Sequence, residues 1–535
     1  MNRSRRFFFL LTILVGLCYI FTFRDFQYYL STGDHGRDLY CAQKTLEGKL
    51  PFRDYSWLYG PLMPYYYSLF FKIFGVSVLS ANLGVHLLVF LTGVVVFFIC
   101  AEFISLPLSF IAPLWYWAFR DTEFFHTYNH NGALLAILIC LLCAVKYIKK
   151  QKNKYIFIAC GFSFAAMLIR LNIGASTLLA FFLSIIIADF IRQHPSRGKK
   201  ALCYLLLSCA VSAGCFFIYY YLLQGLPSYV ISQCLPYAKE MRADTTNDFF
   251  QILKHFGDLL QNYFLINWNT ALLTISILVS LIRCLFYMID YEEEKRGRDT
   301  LFILLSTFFI FIIFTLHEYL GSATPSRHIW LRPLVIITIL FLYHFAEKRG
   351  PKTIFTPTIK ASLVILLVSI GILQWGIYLR IAKSYKTPHH FLQAGKIYIT
   401  NDKDWIETAN KAVDYINKNV PKNDKLFTLP MDTLYNFLTQ RDQPTRQLAF
   451  LLTMRIPEEQ ERRVIDDIEN NNVNWVLISN RAHSTDPAIG HLGITHQILL
   501  YRYIKDNFET VATYGPWEKD PGWITGHAVK ILKRK

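Results

Sequence analysis

Charged side chains of both signs lie close together near the N-terminus, between two long apolar runs. Asp34, Arg37 and Asp38 fall within one turn of each other if the segment after Gly36 is helical, and Asp34 then caps that helix. A carboxylate within hydrogen-bond reach of a hydroxyl acts as a general base, and a guanidinium group binds phosphate oxygens in a bidentate way. Taken alone, these residues are more often a helix cap with a surface ion pair, so the surrounding elements must decide between the two interpretations.

The surrounding elements are those of a membrane protein. Of the 535 residues, 53% are hydrophobic and only 17% are charged. Apolar windows of about 17 residues or more, long enough to cross the hydrocarbon core of a bilayer, recur from the N-terminus to about residue 380. The composition therefore predicts a polytopic α-helical membrane protein and excludes an ordinary soluble enzyme.

The positive charges of the chain indicate its topology. The formal net charge is +17, but Lys and Arg cluster in short loops between apolar runs, a pattern that sets membrane orientation and predicts no nucleic-acid partner. With about 11 transmembrane helices, a cytoplasmic N-terminus and an extracytoplasmic C-terminus, five basic clusters of the N-terminal 380 residues all fall on the cytoplasmic side. These clusters are Arg3, Arg5 and Arg6, followed by residues 149–154, 192–200, 295–298 and 348–352.

This topology divides the chain into two domains. Residues 1–380 form a transmembrane module whose first outer loop is 24–77, with Tyr65–Phe74 as a short helix in the membrane interface. Residues 381–535 have the composition of a soluble protein. There, the segment WIETANKAVDYINKNV has apolar residues at helical spacing, whereas KLFTLP and NVNWVLIS are typical of buried strands. We therefore expect a C-terminal extracytoplasmic α/β domain.

The spaced residues of the first outer loop resemble those of a known family. The residues that carry the resemblance are Asp34, Gly36, Tyr40, Ala42, Leu46, Gly48, Pro51, Phe52, Arg53 and Asp54, followed by GPL at 60–62. Together they are similar to the first periplasmic loop of bacterial GT-C membrane glycosyltransferases, relatives of the protein O-mannosyltransferases and of the lipid A aminoarabinose transferase. The expected fold is therefore GT-C-like.

The resemblance implies a reaction at the outer face of the bacterial inner membrane. A sugar would pass from a polyprenyl-phosphate-linked donor to an acceptor, which is a lipid, a glycan or a protein. Asp34 matches the proposed general base of the family and would take the proton of the acceptor hydroxyl. One displacement would then invert the anomeric centre. The implied partners are the polyprenyl-phosphate-sugar lipid, membrane lipid and an acceptor of unknown identity.

The leaving group of this reaction is a lipid phosphate. Its charge grows in the transition state, where guanidinium donors stabilise it. The candidate residues for binding the donor phosphate are Arg37, Arg53, Arg170 and Arg327. Relatives of the aminoarabinose transferase have a lysine before the loop proline, whereas this chain has Gly60 before Pro61. Phosphate binding therefore rests on other cations, Arg37 first among them, and the sugar specificity of that transferase does not carry over.

Other polar residues of the outer loops are assigned to substrate binding. They are Asp38, Asp54, Tyr59, Asp121, Glu123 and His328. We expect no metal cofactor, because the resembling transferases that use a monophosphate carrier generally work without one. If a divalent metal does bind, the candidate ligands come from the second outer loop, RDTEFFHTYNHN at residues 120–131. These are Asp121, Glu123, His126 and His130.

Two other functions fit a membrane protein of this size. A polyprenyl-linked glycan transporter or flippase is one, but the apolar runs contain few ionisable residues at mid-depth and no paired, interrupted helices in corresponding halves. An O-antigen polymerase is the other. By analogy, it would place its large functional loop late in the chain and would have no terminal α/β domain.

Overall fold

A computed structural model describes most of the chain in ranges separated by gaps. The described residues are 3–22, 34–57, 59–118, 129–192, 195–222, 300–320, 333–334, 336–338, 340–341, 344, 390–392, 397–399, 403–450, 456–481, 492–494, 496–517 and 526–535. The N-terminal part is helical. Its helices are α1 (Arg3–Thr22), α2 (Asp34–Leu46), α3 (Leu62–Phe74), α4 (Val78–Cys100), α5 (Leu106–Ala118), α6 (His130–Lys150), α7 (Lys154–Ile169), α8 (Leu171–Ile191), α9 (Pro195–Leu222) and α10 (Thr300–Leu320).

Several of these helices are long and apolar enough to cross a membrane. Within the described ranges, four segments meet this criterion: Val78–Cys100, His130–Lys150, Leu171–Ile191 and Leu202–Tyr219. Each of them is at least 18 residues long, which corresponds to about 27 Å of helix at 1.5 Å per residue. The chain is therefore a multi-pass membrane protein, while the predicted number of 11 spans and the orientation of the termini stay predictions.

An ion cluster joins three segments at one end of the bundle. Glu102, in the link between α4 and α5, accepts a hydrogen bond from Arg5 at 2.9 Å and from Lys149 at 3.2 Å. The topology predicted from the sequence assigns all three segments to the cytoplasmic side. Their contact agrees with that grouping, because loops on opposite sides of a bilayer lie about 30 Å apart.

The short helix predicted over Tyr65–Phe74 forms within α3. Tyr67, Phe70 and Phe71 are buried on one face of α3, whereas Ile73 and Phe74 are exposed. Apolar side chains on both faces of a helix outside the long spans suit a position in the interfacial layer of a bilayer. Helix α3 packs on α2 and on α4, so it links the first loop to the transmembrane bundle.

The C-terminal part contains a mixed sheet with helices (described residues from Lys403 to Lys535), which we call the outer domain after the side of the membrane that the sequence predicts for it. Its strands are β3 (Leu426–Leu429), β4 (Trp475–Ser479), β5 (Phe508–Tyr514) and β6 (Val529–Arg534), and a separate hairpin is formed by β1 (His390–Leu392) and β2 (Ile397–Ile399). The helices are α11 (Lys403–Asn419), α12 (Thr433–Thr439), α13 (Glu458–Asn470) and α14 (Ile498–Asn507).

The strand order of the sheet is β3-β4-β6-β5, with β3 and β4 parallel and the other pairs antiparallel. Every residue of β3 and of β4 is buried, as expected for parallel strands that are covered on both faces. The segments KLFTLP and NVNWVLIS contain these two strands. The predicted start of the domain at residue 381 lies outside the described residues.

Candidate active site

Helix α2 holds the residues at the centre of the sequence-based hypothesis, and it is unusual in its burial. It is mostly polar, yet all its described side chains from His35 to Thr45 are buried. Polar groups taken out of water must find hydrogen-bond partners, because an unpartnered group costs about 1–3 kcal/mol. Asp34, the predicted base, is the first residue of α2, and its side chain lies outside the described part of the structure.

Arg37 and Asp38 form an ion pair inside the protein. Nε and Nη2 of Arg37 donate to Oδ1 of Asp38 at 3.1 and 2.9 Å, and the two residues are only 2% and 5% exposed. Burying two charges is costly unless they are paired with good geometry. The pair therefore fixes the direction of both side chains on α2.

Two aromatic rings cover the guanidinium group of Arg37. Its Cζ lies 5.4 Å from the ring centroid of Trp57 and 5.7 Å from that of Tyr59. Cation–π contacts at this distance contribute about 0.5–2 kcal/mol, more when the cation is desolvated. Trp57 is held in turn by a hydrogen bond of 2.9 Å from its Nε1 to the carbonyl of Gly60.

Tyr59 also contacts the second arginine of the prediction. Cζ of Arg170 lies 5.5 Å from the Tyr59 ring centroid, so the structure brings Arg37 and Arg170 to one aromatic side chain. Nη1 of Arg170 is 3.5 Å from Oδ1 of Asn129 and 3.4 Å from Nε2 of His130. The two guanidinium groups thus lie on the same tyrosine, and guanidinium groups are the donors that phosphate oxygens prefer.

Two helix N-termini add to this positive potential. Arg170 is the N-cap residue of α8, and Asn129 is the N-cap residue of α6. The first turn of a helix carries unpaired N–H groups and a partial positive charge, which favours phosphate. We call Arg37, Tyr59 and Arg170 the arginine–tyrosine cluster. Its charges and geometry suit a phosphate-type anion.

Gly60 lies where the transferases that the first loop resembles have a lysine, and its packing accounts for the difference. The Gly60 N–H donates to the carbonyl of Ile169 at 2.9 Å. A Cβ atom at Gly60 would lie 2.1 Å from the carbonyl oxygen of Leu168, a distance at which atoms overlap. The first loop thus meets the end of α7 through its backbone, and no lysine side chain fits at this position.

Arg53 and Asp54 lie elsewhere in the loop. Arg53 donates to Asp54 at 3.0 and 2.7 Å, and the Arg53 side chain is 44% exposed. Asp54 also accepts the Leu50 N–H at 2.8 Å, which closes a turn. The hydrogen bond from Arg53 lowers the pKa of Asp54, with burial acting in the opposite direction. The structure therefore holds this pair in an exposed turn and does not bring it into the arginine–tyrosine cluster.

The remaining predicted residues fall mostly outside the described part of the chain. Asp121, Glu123, His126, Arg327 and His328 all lie there, so their roles stay predictions. Of the four candidate metal ligands only His130 is described, and it contacts Arg170. Within the described ranges, no group of three or more His, Cys, Asp or Glu side chains is placed to hold a metal ion.

The sequence-based hypothesis missed three residues of this site. Trp57, Asn129 and Tyr40 had no assigned binding role. The sequence around Trp57 does not predict its cation–π contact with Arg37, because that contact depends on the path of the loop after α2. Tyr40 belongs to the spaced pattern of the loop, and its hydroxyl accepts the Gln443 N–H of the outer domain at 2.9 Å.

Comparisons with known proteins give the fold. No family model and no curated protein sequence matches the chain. The oligosaccharyltransferase of Archaeoglobus fulgidus, in complex with zinc and sulfate, is similar with a TM-score of 0.55 and 12% identity, over 95% of this chain and 72% of that chain. Its apo form gives a TM-score of 0.52 and 10% identity, over 90% and 70%.

A second kind of solved structure is also similar. ArnT from Cupriavidus metallidurans, bound to undecaprenyl phosphate, has a TM-score of 0.48 and 9% identity, over 98% of this chain and 97% of that chain. At these identities, the similarity to the oligosaccharyltransferase shows the fold alone. The chain has the GT-C fold, so the fold that the first loop predicts is confirmed.

Proposed function

We propose that this protein is a glycosyltransferase that moves a sugar from a polyprenyl-phosphate-linked donor to an acceptor at the outer face of the bacterial cytoplasmic membrane. The observation that carries the proposal is the contact of Arg37 and Arg170 with Tyr59, at 5.7 and 5.5 Å, next to the helix that begins with Asp34. The GT-C fold supports it. An anion site beside a carboxylate is what transfer from a lipid phosphate requires.

Arg37 and Arg170 would bind the donor phosphate. As the bond between the sugar and the phosphate breaks, charge accumulates on the phosphate oxygens, and fixed cations stabilise that charge without reorganising. Burial of Arg37 strengthens its interaction because little water screens it. Trp57 and Tyr59 cover the guanidinium groups and keep them in place.

Asp34 would take the proton of the acceptor. Of the two carboxylates near the start of α2, Asp38 already accepts two hydrogen bonds from Arg37 through one oxygen, so it is held in a buried ion pair. Asp34 is therefore the better candidate. A positioned general base contributes on the order of 10² to 10⁴ in rate, and attack opposite the leaving phosphate inverts the anomeric centre.

No metal is needed in this scheme. Nε2 of His130 lies 3.4 Å from the Arg170 guanidinium group, which would repel a divalent cation bound at that nitrogen. The two arginines supply the positive charge that a metal ion would otherwise provide. Purified protein treated with a chelator should retain its activity.

The experiment compares envelope molecules from cells with and without the gene. Mass spectrometry of glycolipids, glycans and glycoproteins should show one sugar missing without the gene, restored by the wild-type gene and not by Asp34→Asn. Asp466→Asn, an exposed carboxylate on α13, is the matched control and should restore the sugar. Restoration by Asp34→Asn would move the role of base to Asp38 or Asp54. A sugar-lipid that accumulates in the inner leaflet would favour a flippase instead.

A further inference from the structure

One face of α2 is built to contact the outer domain. Gly36, Tyr40 and Gln43 follow each other at the spacing of neighbours on a helix surface. A Cβ atom at Gly36 would lie 2.6 Å from Cβ of Leu434 and 2.9 Å from its backbone nitrogen. Only glycine therefore permits the first turn of α2 to touch the first turn of α12.

Polar contacts continue along this face. The hydroxyl of Tyr40 accepts the Gln443 N–H at 2.9 Å, and Nε2 of Gln43 donates to Oε1 of Gln440 at 2.8 Å. Lys44 forms an ion pair with Asp442. All of these bonds join residues about 400 positions apart in the sequence, so each one holds two distant segments together rather than shaping a local turn.

The loop after α2 is attached to the same segment of the outer domain. Ser56 N–H donates to the carbonyl of Arg446 at 2.8 Å, and Leu448 N–H donates to Oγ of Ser56 at 3.2 Å. Arg446 also donates to the carbonyl of Phe52. Partial burial lowers the pKa of Arg446 to about 10.

We propose that the outer-domain segment 440–448 fixes the orientation of α2, and that Tyr40 and Lys44 are positioning residues for the groups at the other end of that helix. This inference rests on the proposed function. Tyr40 follows Arg37 by one helical turn and Lys44 by two, which is about 10 Å along the axis. A small rotation of the helix at Lys44 is therefore transmitted to Arg37 and Asp34.

The consequence for the reaction is large because transfer depends on geometry. A misplacement of about 1 Å at the reacting groups costs on the order of 10² in rate. Neither Tyr40 nor Lys44 needs to touch the substrate for this effect. The outer domain is then part of the catalytic unit, and its docking onto α2 is required even for an acceptor that it does not bind.

Tyr40→Phe tests the inference with the loss of one oxygen atom. The change leaves the buried Gln443 N–H without its acceptor, so we expect faster amide exchange across residues 36–46 and about tenfold less product per molecule of membrane-inserted protein. Tyr503→Phe is the matched control, since the Tyr503 hydroxyl bonds only to groups of the outer domain among the described residues. It should leave both measurements unchanged.

Lys44 provides a second and independent variant. Lys44→Met keeps most of the side-chain length and removes the charge, and it should lower the amount of product three- to tenfold. Lys44→Arg restores the charge and should return product to within threefold of wild type. Glu47→Gln removes the charged partner of Lys44 in the turn that follows α2 and leaves Asp442, so it should have little effect.

The outcomes separate this inference from the proposed function. Unchanged exchange of α2 in Tyr40→Phe and Lys44→Met would overturn the inference, and so would faster exchange with unchanged product. A fall in product that only follows the amount of inserted protein would also overturn it. If cells without the gene still make the product, the proposed function fails, whereas the exchange measurement still decides whether the outer domain orders α2.

Discussion

Gly60 donates its backbone N–H to the carbonyl of Ile169 at 2.9 Å, and this bond joins the first loop to the residue that precedes Arg170. The contact is backbone to backbone, so it leaves no space for a side chain. It lies next to Tyr59, which contacts both Arg37 and Arg170. The relationship links a glycine that departs from the pattern of the resembling transferases to the geometry of the arginine–tyrosine cluster.

Gly60→Ala should weaken both the protein and its activity. The new methyl group would overlap the Leu168 carbonyl oxygen, and relieving such overpacking typically costs about 1–3 kcal/mol. Thermal unfolding of the full-length protein in detergent measures the change. Gly161→Ala on α7 is the matched control, because nothing lies within 4 Å of its Cβ position. Equal stability of the two variants would show that the loop adapts at Gly60.

Substitutions at Arg170 and at Arg53 should differ in their effect on the binding of the lipid donor. Arg170→Gln should weaken the binding of polyprenyl phosphate at least tenfold, since it removes a cation that contacts Tyr59. Arg53→Gln should change binding less than twofold, because the structure holds Arg53 in an exposed turn and not in the arginine–tyrosine cluster. Native mass spectrometry of the purified protein with added polyprenyl phosphate measures both. Equal losses would place Arg53 in the phosphate site as well.

Local patterns in the sequence predicted the parts of the site that depend on local structure. The short helix over Tyr65–Phe74 follows from an apolar and aromatic run that is too short to cross a bilayer. The buried strands β3 and β4 follow from short apolar segments. These features depend on neighbours within one turn or one strand, which is the range over which periodicity carries information.

The contacts between distant segments could not be predicted in this way. Tyr40 bonds to Gln443, and nothing in the spacing around either residue names the other. Gly36 and Gly60 are both explained by close approach to another segment, which depends on how that segment folds. The hypothesis interpreted Gly60 through the missing lysine alone, whereas the structure shows that backbone packing requires glycine there.

The predicted orientation of the chain can be tested with reporter fusions. A periplasm-active reporter fused after residue 385 should be active, and one fused at residue 295 should be silent, because basic clusters assign these positions to opposite sides. The contact of Arg5, Glu102 and Lys149 groups three segments at one end of the bundle, so the reporters decide the side of all three together. The reverse pattern of reporter activity would invert the topology and place the arginine–tyrosine cluster in the cytoplasm.

A buried histidine should make the outer domain sensitive to acid. His527 is 3% exposed, its Nε2 lies 2.8 Å from the Tyr435 hydroxyl, and Trp405 packs beside the ring. Burial lowers the pKa of His527 to about 4, with Arg481 acting in the same direction and Asp432 opposing it. The folded domain is therefore more stable when the imidazole of His527 is neutral.

The sign of the pH dependence follows from this shift. The unfolded chain binds a proton at His527 below its ordinary pKa of about 6.5, whereas the folded chain does so only near about 4. The stabilisation is fully present above about pH 6.5 and is lost as the pH falls, by a total on the order of 3 kcal/mol.

Amide exchange of β6, corrected for its intrinsic pH dependence, measures this loss of stability. His527→Gln should flatten the profile in this range, since glutamine does not titrate, while Asp466→Asn should keep the wild-type slope. An unchanged slope in His527→Gln would assign the acid sensitivity to the carboxylates of the domain.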